Sequence, residues 1–131
     1  MRHVLLSFLL LLLLTTSCKK TEPSVIPEGT YIGTFQRLTS AGGAISNVTI
    51  TFSDGNWSGE SQVQKYPALC SGTYTIKGNT INFENACPWT AEFDWTLILS
   101  GEYKLVSNGS KLEFTRDLGA DSEDVYKLLK K

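Results

Sequence analysis

The side chains that could carry chemistry in this 131-residue chain are few: three cysteines (Cys18, Cys70 and Cys87), one histidine (His3), and scattered carboxylates. His3 lies in the amino-terminal segment, so the rest of the chain has no imidazole for a nucleophile and base pair or for a metal site. Glu92 and Asp94 stand two apart, as a glycosidase pair might, but on an outward strand face with no enclosing cleft. Asp117, Asp121, Glu123 and Asp124 match no EF-hand spacing and read as a solvated loop. We therefore expect no catalytic residue, no metal and no cofactor. The thiols remain: one closes a leader and two are left as a pair.

Arg2 and His3 are followed by Val4 to Leu14, apolar apart from Ser7, and then Thr15, Thr16 and Ser17 run into Cys18. That is a signal-peptide layout over residues 1–17. Its apolar run is shorter than the about 20 residues a spanning helix needs, so cleavage is expected. A cysteine at this point resembles the lipobox of bacterial lipoproteins, and the relaxed box followed by Lys19 and Lys20 is similar to leaders of the Bacteroidota. The resemblance implies acylation of Cys18 and a lipid bilayer as partner; the alternative is secretion with Cys18 free or still inside the leader. Several acyl chains, at about 0.8 kcal/mol per buried methylene, would hold the protein at a membrane. Residues 18–28, polar and containing Pro23 and Pro27, read as a tether reaching at most about 40 Å. The expected location is the bacterial cell envelope. By family analogy the anchor lies in the outer membrane, with the periplasmic side favoured because no acidic cluster follows Cys18.

Taking Arg2 from the 12 basic residues leaves 11 against 13 acidic ones, and no Lys/Arg cluster suits a nucleic acid. Residues 29–131 suffice for one domain with a modest core. Apolar and polar residues alternate through it with a period of two, as in Val48, Ile50 and Phe52 among Asn47, Thr49, Thr51 and Ser53. Short turns at Asp54-Gly55, Gly78-Asn79 and Asn108-Gly109 suit two-residue hairpin loops. Register supports each turn, because apolar residues meet apolar ones: Phe52 with Trp57, Tyr74 with Phe83, Tyr103 with Phe114. Extending the second ladder sets Cys70 opposite Cys87 at a non-hydrogen-bonded position. There the Cα atoms sit about 4.5 Å apart, so a disulfide is expected.

The pattern predicts an all-β fold: a small antiparallel up-and-down β-barrel of about eight strands with one cross-strand disulfide. Strands are expected near 29–38, 46–53, 56–64, 69–77, 80–87, 91–99, 102–107 and 110–116. The tail, 125–130, is either a ninth strand or a short helix, and we favour the strand. Parity turns Tyr31, Phe35, Phe52, Trp57, Tyr74, Phe83, Phe93, Trp95, Tyr103, Phe114 and Tyr126 inward. Inward Gly33, Gly59 and Gly72 either make room for rings or leave space for a ligand.

Such a meander resembles the lipocalin-like lipoproteins of the calycin group, over roughly Gly29 to Lys131. Lipocalins open on Gly-x-Trp and end their eighth strand on an Arg stacked across that ring. Gly29-Thr30-Tyr31 and Arg116 stand in the corresponding places, with Tyr for Trp and without the long helix. The resemblance implies a Tyr31/Arg116 closed end and a mouth at the other end, rimmed by Tyr66 and Trp89. Phe35, Arg37, Ser61, Val63, Asn85 and Phe93 lie inward near that mouth. They form either a pocket for a small hydrophobic or amphipathic ligand or a packed core capped by aromatics. The expected function is therefore a membrane-anchored ligand binder. The alternative is an envelope interaction protein, such as an inhibitor of a hydrolase, acting through the rim loops. A cavity of several hundred Å3 would favour the first and a solid interior the second.

Overall fold

The alternation folds into eight antiparallel strands, β1 (Gly29–Leu38), β2 (Ile45–Ser53), β3 (Asn56–Ser61), β4 (Ser71–Lys77), β5 (Thr80–Asn85), β6 (Gly101–Asn108), β7 (Lys111–Gly119) and β8 (Ser122–Lys130), in a computed structural model that describes residues 25–131. They pair in sequence order and β8 closes on β1, Tyr31 opposite Lys130 and Leu38 opposite Glu123. The leader, Cys18 and the tether up to Ser24 lie outside the described residues.

Two hairpins have the expected registers, Phe52 opposite Trp57 and Tyr74 opposite Phe83. The third is displaced: its loop is Gly109-Ser110, so Leu105 rather than Tyr103 meets Phe114. A shift of two residues leaves every side chain on its own face, so parity cannot distinguish the two registers.

The expected strand over 91–99 is not formed. Asp94 caps a 3-10 turn at Trp95–Leu97, its Oδ1 accepting from the Thr96 backbone N–H and hydroxyl, and the chain crosses the barrel end as a loop. β5 therefore pairs directly with β6, Phe83 opposite Gly101, and the tail strand completes the eight. Phe93 is half-buried and Trp95 is 56% exposed, so neither ring lines the interior as expected. Losing one strand before β6 also reverses the direction assigned to everything after it.

The two-residue turns at Asp54-Gly55, Gly78-Asn79 and Gly109-Ser110 consequently lie at one end, hereafter the turn end, together with residues 25–28. Ile26 is buried there and the Tyr31 hydroxyl donates to the Pro27 carbonyl at 2.6 Å, so packing begins before Gly29. At the other, loop end lie the connections 39–44, 62–70 and 86–100 and the turn at Ala120-Asp121.

The interior is filled. Phe35, Phe52, Trp57, Phe83, Tyr103, Phe114 and Tyr126 are buried and touch in series, with ring centroids 4.4 to 6.4 Å apart, at spacings typical of favourable aromatic pairs. Two of the glycines serve backbone approach rather than a ligand. A Cβ on Gly33 would fall 1.9 Å from the Lys127 carbonyl oxygen, and one on Gly72 would fall 1.7 Å from that of Glu84.

Candidate functional site

The loop end is built by side chains drawn from distant parts of the chain. Arg37, near the end of β1, donates through Nε and Nη2 to both carboxylate oxygens of Asp124 on β8, at 2.7 and 2.9 Å. Its Nη1 reaches Asp94 Oδ2 and the Thr96 hydroxyl, both at 3.0 Å, which ties the 3-10 turn to the barrel wall. Arg116 on β7 adds a third cation-carboxylate contact, Nη2 to Asp124 at 3.3 Å, and donates to the Ser100 and Thr96 carbonyls. Asp124 is 1% exposed, so two arginines enclose one buried carboxylate.

This arrangement moves the protonation equilibria around it. Hydrogen bonding to Asp124 raises the Arg37 pKa above its ordinary value, against burial, which acts the other way. The Thr96 hydroxyl and then its backbone N–H, assisted by Arg37, hold the Asp94 carboxyl below its usual range. Burial raises the Tyr103 and Tyr126 hydroxyls well above theirs. Arg37, Asp94, Tyr103 and Tyr126 therefore keep one charge state across the physiological range.

The expected Tyr31/Arg116 closing contact is replaced. With β7 running parallel to β1, Arg116 ends at the loop end and its guanidinium lies 4.7 Å over the Tyr103 ring. Tyr31 is at the opposite end, edge-on to Phe52 at 5.6 Å.

The residues expected to line a pocket separate into two groups. Phe35 is buried, and Tyr66 packs edge-on against it at 5.1 Å. The Tyr66 hydroxyl donates to the Ala44 carbonyl and accepts from the Arg37 N–H, so this ring occupies the place where a mouth was expected. Ser61 closes beneath it, 2.9 Å from the Ser46 hydroxyl and from the carbonyls of Val63 and Tyr66. Ala68 then bridges to Ile98, laying loop 62–70 against the 3-10 segment. The other group lies along loop 86–100, with Trp89 and Phe93 half-buried. Trp89 and Phe93 meet edge-on at 5.7 Å, and the Lys65 ammonium lies 5.0 Å over Phe93 and donates to the Thr90 hydroxyl. The Trp95 indole N–H donates to the Thr90 carbonyl, which pins a largely exposed ring beside them. Val63, on loop 62–70, is 45% exposed.

Cys70 and Cys87 form the disulfide, with Cα atoms 6.3 Å apart, just beyond the ends of β4 and β5. Ala86 still donates to the Ser71 carbonyl, so the cysteines do stand opposite one another in register. Asn85 bonds the Cys87 carbonyl and N–H, which turns the chain out of β5 into the long loop. The bridge thus joins the bases of the two connections that make the lid.

Sequence reasoning missed Asp124, Asp94, Thr96, Ser46 and Trp95 as members of this end. For Asp124 a signal existed: it shares parity with inward Tyr126 and Leu128 on the tail strand. Among the described residues no three His, Cys, Asp or Glu side chains converge as a metal would need, and no helix is long and apolar enough to cross a membrane. One concavity of about 760 Å3 is an open groove against the outer face of β6 and β7, lined in part by Glu102, Lys104 and Asp117. No protein-family model, curated protein or solved structure matches the chain.

Proposed function

We propose that the domain is a non-enzymatic interaction module, tethered to a bacterial envelope membrane through acylated Cys18, that engages a protein partner with its loop end. The observation that carries this reading is the filled interior: aromatic rings occupy the barrel and Tyr66 is bonded across its end. Space for a small amphipathic ligand would have supported carriage instead. What the loop end does offer is a pair of lid connections that expose Trp95 and Val63 and hold Phe93, half-buried, under the Lys65 ammonium, with Glu92 and Asp94 as ion-pair partners of Lys65 and Arg37. Pre-ordered aromatics ringed by charges are the residue types that dominate protein interfaces, because a pinned ring loses little entropy on binding. An envelope hydrolase is the partner class this reading favours.

The domain immobilised by its amino terminus should retain one hydrolase from detergent-solubilised envelopes and lower its activity, and Trp95→Ala with Val63→Asp should abolish both effects. The reading fails if retention survives those changes. It fails equally if native mass spectrometry finds a stoichiometric small molecule that Tyr66→Ala releases.

A further inference from the structure

We propose that the outer wall beside the turn end is a membrane-docking face that seats on anionic phospholipid headgroups and points the loop end away from the bilayer. The proposal rests on the envelope-anchored reading for the source of the membrane and for the place of the anchor.

Outward positions on a barrel wall in water are normally polar, yet Ile32, Leu129 and Val106 are 47%, 51% and 65% exposed. They are neighbours. Ile32 pairs with Leu129, Leu129 with Lys111, and Val106 with Glu113 in the next row, and together they line one groove of about 480 Å3. Lys111 and Lys127 flank the groove, and among the described residues Glu113 is the only carboxylate lining it. Aliphatic side chains flanked by lysines are the composition of a surface that rests at a headgroup boundary, apolar atoms inward and ammonium groups toward phosphate.

Two independent observations select a membrane as the occupant. First, charge is divided along the barrel axis. The turn end carries Lys77, Lys111, Lys130 and Lys131 against Glu28 and Asp54. The loop end carries Glu92, Asp94, Asp117, Asp121, Glu123 and Asp124 against three cations, Arg37, Lys65 and Arg116. An anionic surface would therefore attract one end and repel the other, worth about 1 kcal/mol for each lysine brought close. Second, the chain outside the described residues joins at this place. Val25, 71% exposed, has its carbonyl 3.5 Å from the hydroxyl of Ser107, which follows Val106 near the turn end of β6 and turns to the opposite face of the strand. Cys18 is only seven residues earlier, a reach of about 25 Å. Acylation there would hold this face, rather than the loop end, against the bilayer.

The test uses the unacylated chain from residue 19 onward, since all eight strands, the core and the disulfide lie within residues 25–131. It should float with phosphatidylcholine vesicles containing phosphatidylglycerol, float less as salt rises, and stay behind with phosphatidylcholine alone. Lys111→Gln and Lys127→Gln should each lower partitioning roughly fivefold. Val106→Ser with Leu129→Ser should abolish it with near-ultraviolet circular dichroism unchanged, whereas Trp95→Ala should leave it intact. Equal flotation with both vesicle types, or no flotation, overturns the proposal. A concentration-dependent dimer abolished by the Val106 and Leu129 changes, with vesicle binding unmoved, also overturns it and makes the face an interface between copies. Anchoring is read separately from the mass of the full chain recovered from membranes. An unmodified Cys18 with lipid-dependent flotation removes the anchor and leaves the docking face standing.

Discussion

The two ends of this barrel are held by different physics. At the turn end, three two-residue loops join neighbouring strands, and residues 25–28 pack over them: Ile26 is buried, Tyr31 is bonded to Pro27 four residues away, and Val25 and Glu28 accept from Ser107 and Asp54. At the loop end the contacts are remote in sequence. Arg37 meets a carboxylate 87 residues later, and a lid made of two long connections is stapled by Cys70 and Cys87. One end is therefore held chiefly by tight loops between neighbouring strands, while the ion-pair brace of the other forms only once the barrel has closed. A surface built on the second kind of end can be altered in its loops without disturbing the sheet, which is why we place partner recognition there.

The largest effect expected from breaking this contrast is at Asp124. Asp124→Ala leaves Arg37 and Arg116, 15% and 22% exposed, without their shared acceptor. Removing one partner of a buried ion cluster costs about 3 to 4 kcal/mol, taken low in its range because the arginines keep some water. The melting temperature should fall by more than about 10 °C. Amide exchange should show the loss concentrated at Arg37, Thr96 and Arg116, with the Tyr31 and Lys130 pair still protected. Equal loss at both ends would mean that they form one cooperative unit.

Next comes the disulfide, which closes 17 residues and should contribute up to about 3 kcal/mol through loop-closure entropy. Cys70→Ser with Cys87→Ser should lower the denaturation midpoint and speed exchange in residues 62–70 and 86–100 before it reaches β1 or β8. A smaller change tests the other end: Tyr31→Phe deletes the bond to Pro27 and should cost about 1 kcal/mol. Its exchange effect should stay near residues 25–31. Loosening of the lid in that variant would erase the distinction between the ends.

The same contrast explains what was legible in the sequence. Asp54-Gly55 and Gly78-Asn79 could be read because a two-residue loop dictates its own register, and the cysteine pairing followed from the second of them. Gly109 was located but its loop was displaced, since a two-residue slip changes no side chain's face. Segment 91–99 misled because Phe93, Trp95, Leu97 and Leu99 alternate like a strand. A single Asp94 cap outweighs that period, and nothing local reveals that the tail strand will take the place in the sheet. Each contact of Arg116 follows from that one substitution of strands. The Arg37 to Asp124 brace was beyond reach for another reason, because it depends on closure, and closure depends on the count of strands.

The smallest expected effect concerns Asp94, which belongs to the lid but is 54% exposed at its side chain. Its pKa is depressed first by the Thr96 hydroxyl and next by the Thr96 N–H, with Arg37 contributing less. A depressed carboxylate stabilises the fold above its unfolded pKa, and that contribution is lost as pH falls through the folded value. For so exposed a group it amounts to a few tenths of a kcal/mol after screening. Carboxyl-resolved NMR titration should therefore find Asp94 ionising below the usual aspartate range. Thr96→Val should raise it, and should do so more than Arg37→Gln does. If Arg37→Gln has the larger effect, the 3-10 turn is held chiefly by charge from the barrel wall, and the lid depends on closure even in its local geometry.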